Sequence, residues 1–422
     1  MDDDGIQQLH PYPQHPPKSV GDLAAKLIEN GLGGVDRPTL ERRIEQVGYF
    51  RLKGYWYPFL TPIPDRPAKR VLPFREGTRF HDIWDQYVFD QELRVLVFDG
   101  IITIEIYLKS FLAHELSLFG GEFGYMTQAG LPELSYDEHL ACLDSLRRTF
   151  KKSNIPYIRH FRNTYDNPLP PYWMIVGCLS YGTLKENFYR GAPNSIKRKL
   201  AASLHVFNPN SNPDVHGDIK ILSNWLETIR QARNMTAHHD RFWNESSTRI
   251  APKLPKHRSG SHATDWWGND WDAFRGSTGS AAFLTMENYL LTQIDGPSWR
   301  RKFIDLMHRY PQIPAPAMGF PDDWESLALW RRSRERESGR VQRDDNEIEN
   351  QRVVVNQKPE FWEKVEKWLV TEGEGTEKER GCVHVAASMP SKIPTEKQCA
   401  VIVGLMHRIE NEGCPFHMVT TS

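Results

Sequence analysis

Residues 81–119 read HDIWDQYVFDQELRVLVFDGIITIEIYLKSFLAHELSLF. Apolar residues recur along this stretch at the three- and four-residue intervals of an α-helix. The weak point is Gly100, because a glycine inside a helix is less favourable than an alanine by about 1 kcal/mol. The pattern therefore predicts either two long helices or one interrupted helix.

The rest of the chain repeats this helical periodicity, while alternating strand patterns are scarce. We therefore predict an all-α fold with irregular connecting loops. The segment Tyr49–Phe59 is dense in aromatic residues and contains Pro58, and it is predicted to be an irregular connection whose rings pack in the core. Further helices are predicted near residues 137–152, 172–189, 194–204, 217–239, 281–294 and 298–309.

Composition divides the chain into a large helical domain and a C-terminal extension. Residues 331–350 are almost all charged or polar, which is typical of a solvated linker. An earlier Ser-, Gly- and Asp-rich insert carries Trp266, Trp267 and Trp271 and is predicted to be a surface loop with its tryptophans partly docked. The predicted order is a disordered N-terminus (1–18), a helical domain (19–332) with the surface insert (245–280), a charged linker (333–357) and an extension of unknown role (358–422).

The net charge of the chain does not indicate a partner. Its 422 residues include 53 basic and 54 acidic side chains, so any binding to nucleic acid must come from local patches. Five cysteines without a C-x-x-C pair make a poor disulfide framework and favour a reducing cytoplasm. The most apolar stretch, Leu93–Ala113, is interrupted by charged residues and the N-terminus is acidic, so neither a membrane span nor export is predicted.

Five stretches of the sequence, in order along the chain, are Tyr49–Phe59, Phe89–Arg94 with Ile104–Lys109, Pro171–Tyr189, Trp225–Asn244 and Gly319–Trp324. Together they resemble the Abi-like family of abortive-infection proteins. The resemblance covers about residues 20–332, and residues 333–422 lie outside it. It implies a HEPN-like helical bundle with additional helices, acting as a metal-independent endoribonuclease in anti-phage defence or a toxin–antitoxin pair.

The site that the resemblance implies is RNMTAH at residues 233–238, which matches the R-x(4–6)-H motif of HEPN ribonucleases. Alone the motif is weak, because an ordinary helix with a solvated arginine and a hydrogen-bonded histidine gives the same pattern. Its context is an apolar stripe that leads into it and predicts a position at the C-terminal end of a helix anchored to the core. The stripe consists of Ile219, Leu222, Leu226 and Ile229.

Helix geometry predicts how the motif residues are arranged. Arg233 and His238 are five residues apart, about 140° around a helix, whereas Asn234 and His238 share a face. We therefore expect Asn234 to orient the imidazole and Arg233 to reach the same cleft from the side. His239 also fits the loose motif, and similarity to the family favours His238 as the catalytic residue.

A second element, Glu105–Lys109, resembles the E-x(3)-K/R element that accompanies the HEPN motif. Arg94 precedes Glu105 by about three helical turns, so Arg94, Glu105 and Lys109 form one stripe if the helix continues through Gly100. Charges in an apolar helix pair are costly to bury unless they are paired. Two interpretations stay open: a structural ion-pair network, or a catalytic Glu105 supported by Arg94 and Lys109.

Cleavage of RNA without a metal needs a base for the 2′-hydroxyl proton, an acid for the 5′-oxygen and cations for the phosphate charge. Histidine and arginine supply these functions, so no metal and no cofactor are expected. The expected products carry a 2′,3′-cyclic phosphate and a 5′-hydroxyl. HEPN sites typically pair two motif helices and this chain has one clear motif, so a homodimer through the 217–239 helix is expected.

The best candidate surface for RNA is a basic run between Leu146 and Asn163. No acidic residue interrupts it, and three aromatic residues that could stack on bases are interleaved. A solvated helix face is the more common meaning of such a run. Its basic residues are Arg147, Arg148, Lys151, Lys152, Arg159 and Arg162.

Other functions fit parts of the pattern. A non-catalytic HEPN protein that holds a small non-coding RNA is opposed by the presence of the whole motif together with Glu105. A toxin silenced by nucleotide transfer to a tyrosine after the motif is opposed by His239 and Asp240 at that place, and no antitoxin is indicated. A metal-dependent nuclease is opposed because adjacent side chains on a helix diverge.

Zinc binding is a further possibility in the C-terminal extension. Cys382 with His384, and Cys414 with His417, could supply ligands. Both spacings are loose for a zinc site, so free thiols are predicted.

Overall fold

A computed structural model of the chain divides into two compact units, Met1–Arg331 and Arg332–Ser422. The residues described are 16–61, 72–207, 217–244, 251–254, 269–274, 277, 279–331, 350, 353–411 and 414–416. The predicted disordered N-terminus therefore lies almost wholly outside the described residues.

The N-terminal unit is helical, and the all-α prediction is confirmed. Within the described residues, β-structure is limited to two isolated bridges. Its helices are α1 (Val20–Glu29), α2 (Arg37–Val47), α3 (Tyr49–Trp56), α4 (Phe80–Gly120), α5 (Tyr136–Lys152), α6 (Pro156–Thr164), α7 (Tyr172–Cys178), α8 (Tyr181–Thr183), α9 (Asn194–Ser203), α10 (Ile219–Ala237), α11 (Ala281–Ile294) and α12 (Ser298–Arg309).

Helix α4 is one continuous helix of 41 residues, and Gly100 does not interrupt it. A Cβ at this glycine would lie 2.6 Å from Glu287 Oε1 and 2.8 Å from both Leu291 Cδ1 and Trp299 Nε1. The glycine is therefore not a break; it lets α11 and α12 approach the backbone of α4. Helices α3, α7 and α10 also pack on α4, which makes it the central element of the unit.

The aromatic segment Tyr49–Phe59 differs from the prediction, since most of it is helix α3, followed by a 3-10 turn at Tyr57–Phe59. One face of α3 points inward, and Tyr55 and Trp56 are buried. Phe50 lies on the other side of the helix and is 81% exposed. The prediction that these aromatics pack in the core is therefore wrong for Phe50 and for Tyr57, which is 57% exposed.

The helix predicted at 172–189 is interrupted after Cys178. Leu179 is extended, and the Ser180 hydroxyl accepts a hydrogen bond from the Thr183 amide at 3.2 Å, which caps a new helix start. Beyond α8 the chain continues as a π-helix over Leu184–Tyr189. The serine cap thus overrides the continuous apolar periodicity.

The Trp-rich insert contributes to the core through Trp271. Its ring is buried, and its centroid lies 5.7 Å from that of Trp225 and 5.9 Å from that of Tyr289. Trp266 and Trp267 lie outside the described residues. The docking predicted for this loop is therefore seen at Trp271.

The C-terminal unit has its own hydrophobic core. The Trp362 indole donates a hydrogen bond of 3.2 Å to the Val354 carbonyl, and Val354 is buried. This end of the predicted linker 333–357 therefore packs within the unit. The helices are α13 (Pro359–Thr371), α14 (Glu377–Ala387) and α15 (Glu396–Asn411).

The proposed zinc pairs are only partly described. Cys382 and Cys414 are free and buried, and His384 Nδ1 lies 2.8 Å from a Glu366 carboxylate oxygen. His417 lies outside the described residues. In the described part of the chain, no helix is both long and apolar enough to cross a membrane.

Candidate functional site

The Arg-x4-His stretch occupies the end of α10, as the apolar stripe predicts. Asp218 caps the start of this helix by accepting hydrogen bonds from two amides, and Leu222, Leu226 and Ile229 are buried. The helix ends at Ala237, so its core-facing side fixes where the motif lies.

The two histidines have different places at this helix end. His238 is the C-cap residue, and its amide donates 2.9 Å to the Asn234 carbonyl. His239 follows in the left-handed conformation with φ 61°. Its amide donates 3.2 Å to Thr236, and the Asp240 amide donates 2.9 Å to Met235. These two bonds form a Schellman motif with His239 at the position that glycine usually occupies.

A buried carboxylate holds the segment that follows the histidines. Asp90 of α4 accepts hydrogen bonds at Oδ1 from the amides of Phe242 and Trp243, at 3.0 and 2.7 Å. Its Oδ2 accepts one from the Tyr55 hydroxyl at 2.6 Å and pairs with Arg94. Burial raises the pKa of Asp90, while Arg94 and these hydrogen bonds oppose the rise.

Arg94 therefore belongs to a structural ion-pair network in this structure. Its guanidinium is buried, pairs with Asp90 four residues earlier and donates 3.2 Å to the Tyr55 hydroxyl. Asp90 and Tyr55 were not predicted as members of this network. An acidic residue one helical turn before Arg94 was the available signal for Asp90.

Two arginines join α3 to the same segment. Arg51 donates from Nη1 to the carbonyl of His239, and Arg241 donates from Nη1 to the carbonyl of Gly54. In each bond, an arginine side chain from one of the two segments donates to a backbone carbonyl of the other. The end of α10 and the first turns of α3 are thus fixed to each other.

An open cleft of about 620 Å³ lies between these two elements. His239 is among its lining residues, whereas His238, Asn234 and Arg233 are not. The lining residues are Phe50, Arg51, Gly54, Tyr55, Met235, His239, Asp240 and Arg241.

Arg233, Asn234 and His238 are close in sequence to the lining residues Met235 and His239, but they do not themselves line the cleft. Arg233 Nε is buried without a hydrogen-bond partner among the described residues, and His238 is exposed. The expected side-chain bond from Asn234 to the His238 imidazole is not formed between these residues, whose hydrogen bond is through the backbone. A buried N–H without a partner costs about 1–3 kcal/mol and calls for an explanation.

Glu105 and Lys109 form an ion pair of 2.7 Å one turn apart and are about four-fifths buried. Burial raises the pKa of Tyr181, and the nearby charges of Glu105 and Glu227 raise it further. Glu227 lies mid-way along α10, where it also pairs with Lys185 at 2.8 Å. Glu105 lies about 16 Å along α4 from Arg94, and the two pair with different residues, Glu105 with Lys109 and Arg94 with Asp90.

The predicted RNA surface divides into two kinds of residue. Arg162 donates to the carbonyls of Phe150, Lys151 and Ser153 at 2.7–3.1 Å, so it caps the C-terminal end of α5. Of the interleaved aromatics, Phe150 and Phe161 are buried and Tyr157 is 43% exposed. The remaining basic residues are exposed: Arg147, Arg148, Lys151, Lys152 and Arg159.

Residues 42–244 match the family model described as Abi-like protein. This part of the chain belongs to the Abi-like family. The Abi-like segment contains α3, Asp90, the motif and every residue that lines the cleft, and it ends one residue after Trp243. A search of curated proteins and a search of solved structures each returned no match.

Proposed function

We propose that this Abi-like chain is a metal-independent endoribonuclease of an abortive-infection system, with its active site in the cleft between α3 and the end of α10. The observation that carries the proposal is the position of the Arg-x4-His stretch, whose helix ends beside a cleft lined by His239, Arg51 and Arg241. Cations and a histidine are the groups that metal-independent RNA cleavage requires.

Of the two histidines, we assign the proton transfer to His239. It lines the cleft, and it holds a left-handed conformation that costs a residue with a Cβ about 1–2 kcal/mol. Strained backbone positions cluster at functional sites, which supports a chemical reason for a histidine there. Similarity to HEPN ribonucleases favours His238 instead, so the two assignments make different predictions.

Arg233 would stabilise the phosphate charge. Arg233 does not line the cleft, but its buried Nε has no hydrogen-bond partner among the described residues, and an anionic oxygen of bound RNA would supply one. Arginine also presents a planar fork that matches phosphate oxygens. In the cleavage step the 2′-oxygen attacks phosphorus as its proton passes to the His239 imidazole, and the P–O5′ bond breaks as the protonated imidazole gives a proton to the 5′-oxygen, which leaves as a hydroxyl.

A second copy of the chain would complete the site. HEPN-type sites combine two motif helices, and this chain carries one clear motif, so a homodimer through α10 is proposed on family resemblance. Mixing Arg233→Ala and His239→Ala proteins should then restore part of the activity that each lacks alone. Full activity in a protein that is monomeric in solution would exclude a composite site.

The proposal is tested by incubating the purified full chain with end-labelled single-stranded RNA in EDTA. We expect cleavage that EDTA does not reduce, with 2′,3′-cyclic phosphate and 5′-hydroxyl ends. Binding without cleavage would overturn the enzyme and favour a protein that holds RNA. Cleavage that stops in EDTA and returns with a divalent cation would instead show a metal-dependent nuclease.

A further inference from the structure

Phe50 places an apolar ring on the wall of the cleft. It is the second residue of α3, and 81% of it is exposed. Burying a phenylalanine side chain contributes about 1.5–3 kcal/mol, which this position does not gain in the isolated chain. Single exposed apolar residues are common, so exposure alone indicates nothing about function.

The ring is supported from behind by the aromatic core. Tyr49 packs edge-on against Phe50, with centroids 5.9 Å apart and planes at 85°. Tyr49 in turn packs against the buried Trp56 at 5.0 Å. The Phe50 ring therefore has one edge contact, to a series of rings that reaches the core, while most of its surface is open.

The charged residues around the ring are two arginines and one aspartate. Arg51, His239 and Arg241 line the same cleft, where Asp240 is the only acidic lining residue. Arg51 follows Phe50 in sequence and donates to the His239 carbonyl, which ties the ring's own helix to the histidine. An apolar ring beside fixed cations matches a nucleotide, whose base stacks while its phosphates pair with the charges.

We propose that Phe50 is a stacking platform for an unpaired nucleobase, so that the cleft selects single-stranded RNA and positions one ribose beside His239. This inference rests on the proposed ribonuclease function. A base inside a duplex is already stacked on both faces, so it cannot use the platform without leaving its helix.

Binding of 2′-O-methyl oligonucleotides tests the platform, because their blocked 2′-oxygen prevents cleavage. The probes are a single strand of about 12 nucleotides, its duplex, and the same strand with abasic positions. Stacking of one base contributes about 1–3 kcal/mol, so Phe50→Ala should weaken binding of the single strand by about 5- to 150-fold. Phe50→Trp should keep the wild-type affinity, since it retains a ring.

Tyr57→Ala is the matched control. Tyr57 follows the same helix and is 57% exposed, but it does not line the cleft. We expect it to bind as the wild type does, and we expect the abasic strand to bind wild type and Phe50→Ala equally. Equal affinity of wild type and Phe50→Ala for the intact single strand, or equal loss in Tyr57→Ala, would overturn the proposal.

The outcome separates this proposal from the ribonuclease itself. If binding depends on Phe50 but the chain cleaves no RNA, the stacking proposal is supported and the ribonuclease proposal is contradicted. If Phe50→Ala cleaves RNA with unchanged KM and unchanged affinity, the ribonuclease proposal is supported and the stacking proposal is contradicted. A wild type that binds none of the three probes would overturn the platform.

Discussion

The Asp90 carboxylate accepts a hydrogen bond of 2.7 Å from the amide of Trp243, 153 residues further along the chain. This bond joins the central helix to the segment that directly follows the histidines. The candidate site therefore depends on a buried carboxyl group that does not itself line the cleft.

Replacing Asp90 with alanine should destabilise the fold strongly. The change leaves the Arg94 guanidinium, the Tyr55 hydroxyl and two backbone amides without their acceptor in the interior. Removing one partner of a buried ion pair costs about 3–5 kcal/mol. Thermal and urea unfolding of Asp90→Ala and wild type measure the loss.

The control for Asp90 is Asp144→Ala, which removes an exposed ion pair with Arg148 at the same four-residue spacing. Exposed pairs contribute about 0–1 kcal/mol, so its unfolding should hardly change. A loss below about 1 kcal/mol in Asp90→Ala would show that the network does not hold the segment.

Gly100→Ala and Gly381→Ala should change stability in opposite directions. Alanine is the better helix former by about 1 kcal/mol at both places. At Gly100 its Cβ meets Glu287, Leu291 and Trp299 within 2.8 Å, and overpacking costs about 1–3 kcal/mol. At Gly381 of α14 nothing lies within 4 Å. Unfolding of each variant is compared with wild type, and stabilisation by Gly100→Ala would contradict the close approach.

Glu287 should make the unfolding free energy depend on pH. Burial raises its pKa well above the ordinary 4.5, and the charge of Asp99 adds to the rise. Since the folded state holds the proton more tightly, this contribution to stability is full below pH 4.5 and is lost as the pH rises toward the folded pKa. Glu287→Gln should therefore lose less stability between about pH 5 and about pH 8 than wild type does.

The control for Glu287 is Glu325→Gln, at a carboxylate that is 47% exposed. The unfolding free energy of Glu325→Gln should depend on pH in the same way as that of the wild type. Parallel curves for wild type and Glu287→Gln would show that Glu287 titrates alike in the folded and unfolded chain.

His239→Gly should separate stability from activity. Glycine adopts the left-handed conformation without strain, so the free energy of unfolding should rise by about 1 kcal/mol. If His239 transfers the proton, the cleavage rate should fall by about 10²–10⁴. His238→Ala should leave most of the rate. Loss of cleavage in His238→Ala with full activity in His239→Gly would reverse our assignment, and full activity in both would remove the proposed mechanism.

The exposed basic residues of α5 should determine the salt dependence of RNA binding. Replacing Arg147, Arg148, Lys151 and Lys152 together releases fewer counterions on binding and should reduce the slope of log K against log salt by up to about 3. Arg162→Ala should instead lower stability, because it removes the cap of α5. A salt slope unchanged by the fourfold variant would show that this surface does not contact RNA.

Local sequence patterns predict many of the helices of this fold but fewer of the contacts between them. The apolar periodicity predicts α4 and α10 closely because each packs along its whole length. It does not show that the helix continues through Gly100, because the residues that approach this glycine, Glu287 and Trp299, come 187 and 199 residues later (287 − 100 and 299 − 100). Similarly, the break before α8 depends on one serine cap within an apolar run.

The candidate site was predicted in part. Arg233 and Asn234 lie at a helix end, as the stripe ahead of them predicts. The conformation of His239 and the exposure of Phe50 depend on how α10 and α3 meet, which no local pattern encodes. The capping role of Arg162 depends on where α5 ends, so its charge alone suggested a different role.

The Arg51 and Arg241 hydrogen bonds between α3 and the end of α10 join residues that are far apart in the chain, at separations of 188 and 187 residues. During synthesis, α3 leaves the ribosome long before the segment that forms the opposite wall of the cleft. A nascent chain therefore has no cleft until the residues up to Trp243 have emerged and folded. If the chain cleaves RNA as proposed, it would have no formed site during the synthesis of the residues up to Trp243 of its 422, and the site would become able to form while the remaining residues are still being added.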